Sequence, residues 1–145
     1  MIQSAEQLRK ELLEAGFGHV ETRDARCYLP SLEWLKEFGS WFIEDLPPYA
    51  AEKYDCDDFA IRALDRSNDA LRKTNKIENA GHAFGYAVIS IAPGANWFGL
   101  TGPFTHACNI LGSQTGWYYF EPSTGQFASF SDLADTVSGR PFAMF

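Results

Sequence analysis

Residues 79–120 read NAGHAFGYAVISIAPGANWFGLTGPFTHACNILGSQTGWYYF and contain no Asp, Glu, Lys or Arg. Residues 1–78 carry 27 of the 31 charged side chains in this 145-residue chain. Gly, Pro, Asn, Ser and Thr interrupt the uncharged stretch, so it is not a membrane span, which needs roughly 18 consecutive apolar residues. It reads as a buried sheet joined by turns, following a charged helical half. The predicted strands are Phe84–Ile91, Thr105–Leu111 and Gly116–Glu121. Pro93-Gly94 and Gly102-Pro103 mark loops, and residues 112–116 mark a turn.

Working outward, three helices precede the sheet. The first is predicted from Ala5 to Ala15, with Ser4 as N-cap, Gln7 completing a capping box and Gly16 as the stop. The second starts near Ser31 and runs towards Asp45, with Gly39 as a break and Pro47-Pro48 as its end. The third opens at Asp55. Cys56, Phe59, Ala60, Ala63 and Leu64 fall on one helical face, and Asp58 and Arg62, four apart, read as an exposed pair. Residues 19–29 carry no clear signal. A weak helix is predicted from Ser131, and residues 141–145 read as an edge strand.

Composition bounds the function. The net charge of −7 argues against a nucleic-acid or anionic-membrane surface. Three cysteines without a CxxC exclude a full disulfide framework and a four-cysteine zinc site. The first residues carry no secretory signal, so a cytoplasmic setting with reduced thiols is expected, a phage or host-released origin being the other possibility. The chain reads as a single domain, a helical region over 1–48 and a core over 49–145. No cofactor or metal site is expected.

Three residues carry the chemistry. Cys56, in YDCDDFA at 54–60, sits at a helix N-terminus, which favours the nucleophilic thiolate. Three neighbouring aspartates oppose it, and a free Cys is also a common core residue. His106 opens a strand and can take a proton from the thiol; His82 and His19 are its rivals. Glu121 is the first charge after Glu78, and a carboxylate at the end of an apolar strand needs a partner. A histidine ring N–H would be one. In a hairpin, opposed residues share a face. Pairing Leu111 with Trp117 sets Glu121 opposite Ala107; pairing Leu111 with Gly116 sets it opposite His106. The second register, or a bulge, is therefore required.

CDDFA at 56–60, HA at 106–107 and WYYFEPST at 117–124 together resemble the transglutaminase-like cysteine peptidase superfamily, over roughly residues 50–125. The resemblance implies an α+β, papain-like or transglutaminase-like fold, with a Cys-bearing helix packed on an antiparallel sheet. It also implies an enzyme with a Cys56–His106–Glu121 triad, a thiol hydrolase or acyltransferase. Glu121 departs from the family's usual Asp. The Cys56 backbone N–H, Tyr54 and Asn109 are candidate oxyanion donors.

The expected activity is acyl transfer from a peptide, protein or peptidoglycan-like amide to water or an amine. The alternative is a catalytically silent module that binds a glycan or a protein on the same fold, and a third reading is a phage or structural protein using the scaffold for assembly. The aromatics of Trp97-Phe98 and Trp117–Phe120 can line a groove, or serve as core. Cys27 reads as structural, and Cys108 shares a face with His106.

Overall fold

The computed structural model describes residues 1–51, 55–74 (side chains as far as Ala70) and 80–145. The elements are β1 (Ile2–Ser4), α1 (Ala5–Glu14), β2 (Val20–Glu21), β3 (Arg26–Tyr28), α2 (Leu32–Phe42), a 3-10 turn (Ile43–Asp45) and α3 (Cys56–Thr74). Then follow β4 (Gly81–His82), β5 (Phe84–Ile91), β6 (Asn96–Trp97), β7 (Leu100–Thr101), β8 (Phe104–Ser113), β9 (Gly116–Glu121), β10 (Gln126–Ser129) and β11 (Val137–Met144).

Local chemistry explains the helix starts. Ser4 Oγ accepts from the Gln7 N–H and Ser31 Oγ from the Trp34 N–H, each satisfying a donor the helix leaves open. At α3 the Asp58 carboxylate reaches back to accept the Asp55 N–H at 3.1 Å. Asp58 is therefore not the partner of Arg62, which turns to Asp45 instead. Nor does Gly39 break α2. A Cβ there would lie 2.7 Å from the Gly125 carbonyl oxygen, so the glycine lets the helix lie against the β9–β10 turn.

The six-stranded sheet has the order β10-β9-β8-β5-β11-β2. Its two faces bury different clusters. Phe84, Leu111 and Phe120 pack under Leu35, Phe38 and Phe42 of α2 and Ala63 and Leu64 of α3. Ala87, Ile89, Cys108, Ile110 and Tyr119 pack with Leu8 and Leu12 of α1. The Trp117 indole N–H, donating to Glu11 at 3.0 Å, ties β9 to α1. Such all-or-none alternation follows from the two-residue period of a strand.

The expected architecture needs correction. Among the described residues three α-helices stand against eleven strands, and β1, β2 and β3 interrupt the expected helical N-terminal half. β1 and β3 pair antiparallel and β3 and β4 parallel, in a separate three-stranded sheet. β2 joins the main sheet beside β11 in parallel, so that sheet is not purely antiparallel. Runs of two or three residues are too short for periodicity to reveal. The C-terminal segment also differs. No helix starts at Ser131; residues 130–136 form turns, with Ser129 Oγ accepting the Asp132 N–H. The segment 141–145 is no edge strand either, since β11 lies inside the sheet between β5 and β2. Pro141 is tolerated there because the β11–β5 register slips between Gly139 and Phe142.

Candidate functional site

The β8–β9 pairing decides where Glu121 falls. Ser113 opposes Gly116, Leu111 opposes Tyr118 and Asn109 opposes Phe120. Neither register considered from the sequence is present, because only Gln114 and Thr115 make the turn. Continuing the ladder by one residue sets Glu121 beside Cys108, with His106 its diagonal neighbour on the same face. A glutamate spans that diagonal. His106 Nε2 and Glu121 Oε2 lie 2.5 Å apart, with both side chains almost wholly buried.

Electrostatics follow from that contact. Burial alone would lower the His106 pKa, but the neighbouring Cys56 sulfur and the Glu121 carboxylate bonded to it outweigh that, and the ring is pushed up to about 9. Burial would likewise raise the Glu121 carboxyl. His106 first, then Trp97 and Ser123, outweigh it and hold the carboxyl below its ordinary value. The pair is charged near neutral pH.

Cys56 is the first residue of α3, whose Phe59, Ala60 and Ala63 are buried as the helical spacing predicts. Asn109 helps to fix the helix on the sheet. Its amide donates to the Ala60 carbonyl at 2.9 Å and the Gly85 carbonyl at 3.0 Å. The β8–β9 ladder runs only as far as Asn109, and α3 packs against β8. Cys56 and His106 line one cleft of about 590 Å³ with Tyr49, Leu100, Phe104 and Ser123. With Nε2 on Glu121, Nδ1 is the nitrogen left for the sulfur. The thiol also approaches Asp57 Oδ1, at 3.8 Å.

The other candidates separate from this cleft. His82 is buried against Trp34, with ring centroids 4.5 Å apart, and burial drags its pKa down to about 4. His19 is exposed, 3.1 Å from Glu21. Both Asn109 amide bonds go to backbone carbonyls, so it is no oxyanion donor; Tyr54 lies outside the described residues. The Cys56 N–H belongs to a first helical turn, where donors lack intrahelical partners. Cys27 and Cys108 are buried free thiols, both pushed up chiefly by burial, Cys27 to about 11. Among the described residues, Asp55, Cys56 and Asp57 bring donor atoms within 4.8 Å of one another and could hold a cation. Such groups are common at helix starts.

Sequence reasoning missed the surroundings of Glu121. Trp97 Nε1–H donates to Oε2 at 2.6 Å, and the Ser123 N–H and Oγ–H donate to Oε1 at 3.2 and 2.8 Å. The one signal was the carboxylate itself, which demands donors when buried. Trp97 lies 24 residues away on a two-residue strand, which no local pattern connects to Glu121.

No family model and no curated protein matches the sequence. Solved structures do. One, described as "PSL1a-E64 complex", has a TM-score of 0.78 at 18% identity, covering 99% of this chain and 51% of that one. Another is Polyporus squamosus lectin bound to the human-type influenza-binding epitope Neu5Aca2-6Galb1-4GlcNAc. It has a TM-score of 0.77 at 17% identity, covering 99% of this chain and 49% of that one. The chain thus shares a fold with these structures and spans about half their length. This overturns the expected membership of the transglutaminase-like cysteine peptidase superfamily and its papain-like fold class. One of these neighbours bears the name of a lectin, and neither bears that of a cysteine peptidase or hydrolase.

Proposed function

We propose that the Cys56 cleft performs thiol-dependent acyl transfer on amide bonds. The observation that carries this reading is the buried 2.5 Å contact between His106 Nε2 and Glu121 Oε2, at the wall of a cleft that also holds Cys56. Cys56 attacks the carbonyl carbon as the thiolate, beside a charged His106 ring that already carries a proton on Nδ1. A C–S bond forms and the carbonyl π pair moves to oxygen. When that pair returns, the C–N bond breaks and the leaving amine takes the proton from Nδ1. A second nucleophile then releases the acyl group from sulfur. Glu121 keeps the ring oriented and stabilises its charged form. The chemistry needs a free thiol, and a cytoplasmic setting supplies the reducing conditions for it.

The comparisons weigh more heavily on a second reading, a glycan-binding module without turnover. One matched structure holds a sialylated trisaccharide, and neither description names a reaction. Tyr49, 66% exposed, and Phe104 offer ring faces at the cleft, and Thr101 and Ser123 offer hydroxyls. A carbohydrate is then the partner, in place of a peptide or protein.

Thiol alkylation by iodoacetamide at pH 6, followed by mass spectrometry, separates the readings. Cys27 and Cys108 are slow from burial alone, so the ratio of rates does not decide. Acyl transfer requires Cys56 to lose at least tenfold in rate in His106→Ala. E64, named with the first neighbour, is a second probe for attachment to Cys56. An unchanged rate in His106→Ala, with Neu5Aca2-6Galb1-4GlcNAc binding that survives Cys56→Ser, establishes the binding module instead.

A further inference from the structure

Glu121 receives four donors, and only one is the imidazole. Trp97 Nε1–H shares Oε2 with His106, and Ser123 holds Oε1 through its backbone N–H and its hydroxyl. Both oxygens are therefore fixed, and the carboxylate cannot rotate without breaking bonds on both sides. Trp97 is fully buried, with its ring edge-on to His106 at 5.7 Å and to Tyr119 at 5.6 Å. A buried indole N–H needs an acceptor, and here that acceptor is the oxygen the histidine uses. Ser123 also faces the cleft, so it meets the carboxylate on one side and any ligand on the other.

We infer that Trp97 and Ser123 are positioning residues that lock the Glu121 carboxylate from opposite ends, and so keep His106 Nδ1 aimed at Cys56. The inference rests on the acyl-transfer reading for its catalytic consequence, but the lock itself is a matter of geometry. It follows that the carboxylate is stabilised in its ionised form by three neutral donors, from Trp97 and Ser123, besides the imidazolium. Those donors also fix the ring orientation, because a histidine nitrogen bonded on one side leaves the other for the reacting group. The lock spans three segments: β6, the start of β8, and the turn after β9.

Trp97→Phe keeps a buried ring and removes the N–H; Ser123→Ala removes one hydroxyl donor and leaves the backbone N–H. The Glu121 carboxyl is followed by 13C NMR against pH, and the Cys56 alkylation rate by iodoacetamide over the same range. Trp97→Phe is expected to raise the carboxyl midpoint by about one unit, and Ser123→Ala by less. The acid limb of the alkylation profile moves with it, about tenfold slower at a fixed pH on that limb. A merely structural role would lower stability and leave both midpoints in place. Carboxyl midpoints within 0.2 units of the unsubstituted protein (roughly the precision of the titration) in both variants would overturn the inference. If Trp97→Phe fails to fold, Ser123→Ala still decides. A shifted carboxyl with Cys56 unreactive in every form keeps the lock and removes the acyl-transfer reading. A reactive Cys56 with an unmoved carboxyl removes the lock alone.

Discussion

Glu121→Gln tests the buried pair directly. The substitution keeps the shape and removes the charge. One oxygen becomes an NH2, a donor where Trp97 and His106 donate now, or where Ser123 does. Either amide orientation leaves donors facing donors. Breaking a buried charged pair costs roughly 3–5 kcal/mol, and some of that is recovered by the remaining carbonyl, so about 3 kcal/mol is expected. For a chain of this size that is about 6–12 °C in Tm. The pH dependence is specific. The folded pKa of His106 is about 9, above its unfolded 6.5. Its stabilisation is therefore full below pH 6.5 and fades as pH rises through 9. Glu121 is held below its ordinary 4.5, so its share is full above 4.5 and fades as pH falls through the folded value. The difference between unsubstituted protein and Glu121→Gln should be greatest between pH 4.5 and 6.5. Urea unfolding across pH 4–10 measures it, and ring NMR follows His106, whose pKa should drop by at least about one unit. A His106 that still titrates near 9 in Glu121→Gln would refute the reasoning.

Other substitutions probe other contacts. His82 is buried and neutral with a folded pKa of about 4 against 6.5 unfolded, so its contribution is full above pH 6.5 and is lost as pH falls towards 4. His82→Phe should flatten that acid loss by roughly 3 kcal/mol, read by urea unfolding at pH 7 and pH 4.5. Asn109→Leu removes the amide donors given to the Ala60 and Gly85 carbonyls in the core and should cost about 1–3 kcal/mol, an outcome that calorimetry checks. Gly39→Ala forces a Cβ against the Gly125 carbonyl oxygen and should cost about 1–3 kcal/mol, although alanine is the better helix former.

Helix starts and the strongest strands were legible in the sequence, because their causes are local. Ser4 caps where expected, the second helix starts near Ser31 as expected, and β5 and β9 span the predicted residues. The Cys56 face of α3 was legible from spacing alone. The family and its papain-like fold were read wrongly, since three short motifs in order do not identify a fold. What escaped depends on distant partners. β2 is defined by β11, over a hundred residues later, and Val20-Glu21 has no signature of its own. The β8–β9 register turned on whether Gln114-Thr115 alone could reverse the chain, and neither residue is a strong turn former. Cys56, His106 and Glu121 were each visible as unusual residues; Cys56 and His106 line one cleft, and Glu121 is buried against His106. Trp97 was visible only as an aromatic, because nothing in a linear pattern says which oxygen an indole will find.

The inward place of β11 has a consequence for biosynthesis. β5 is completed on one side by β8, within 22 residues, but on the other only by β11, some 50 residues later. A ribosome that has released β8 and β9 therefore still exposes a bare, apolar β5 edge, a template for association with other nascent chains. β2, made long before, waits for the same strand. That β5 edge closes only when β11 pairs with β5.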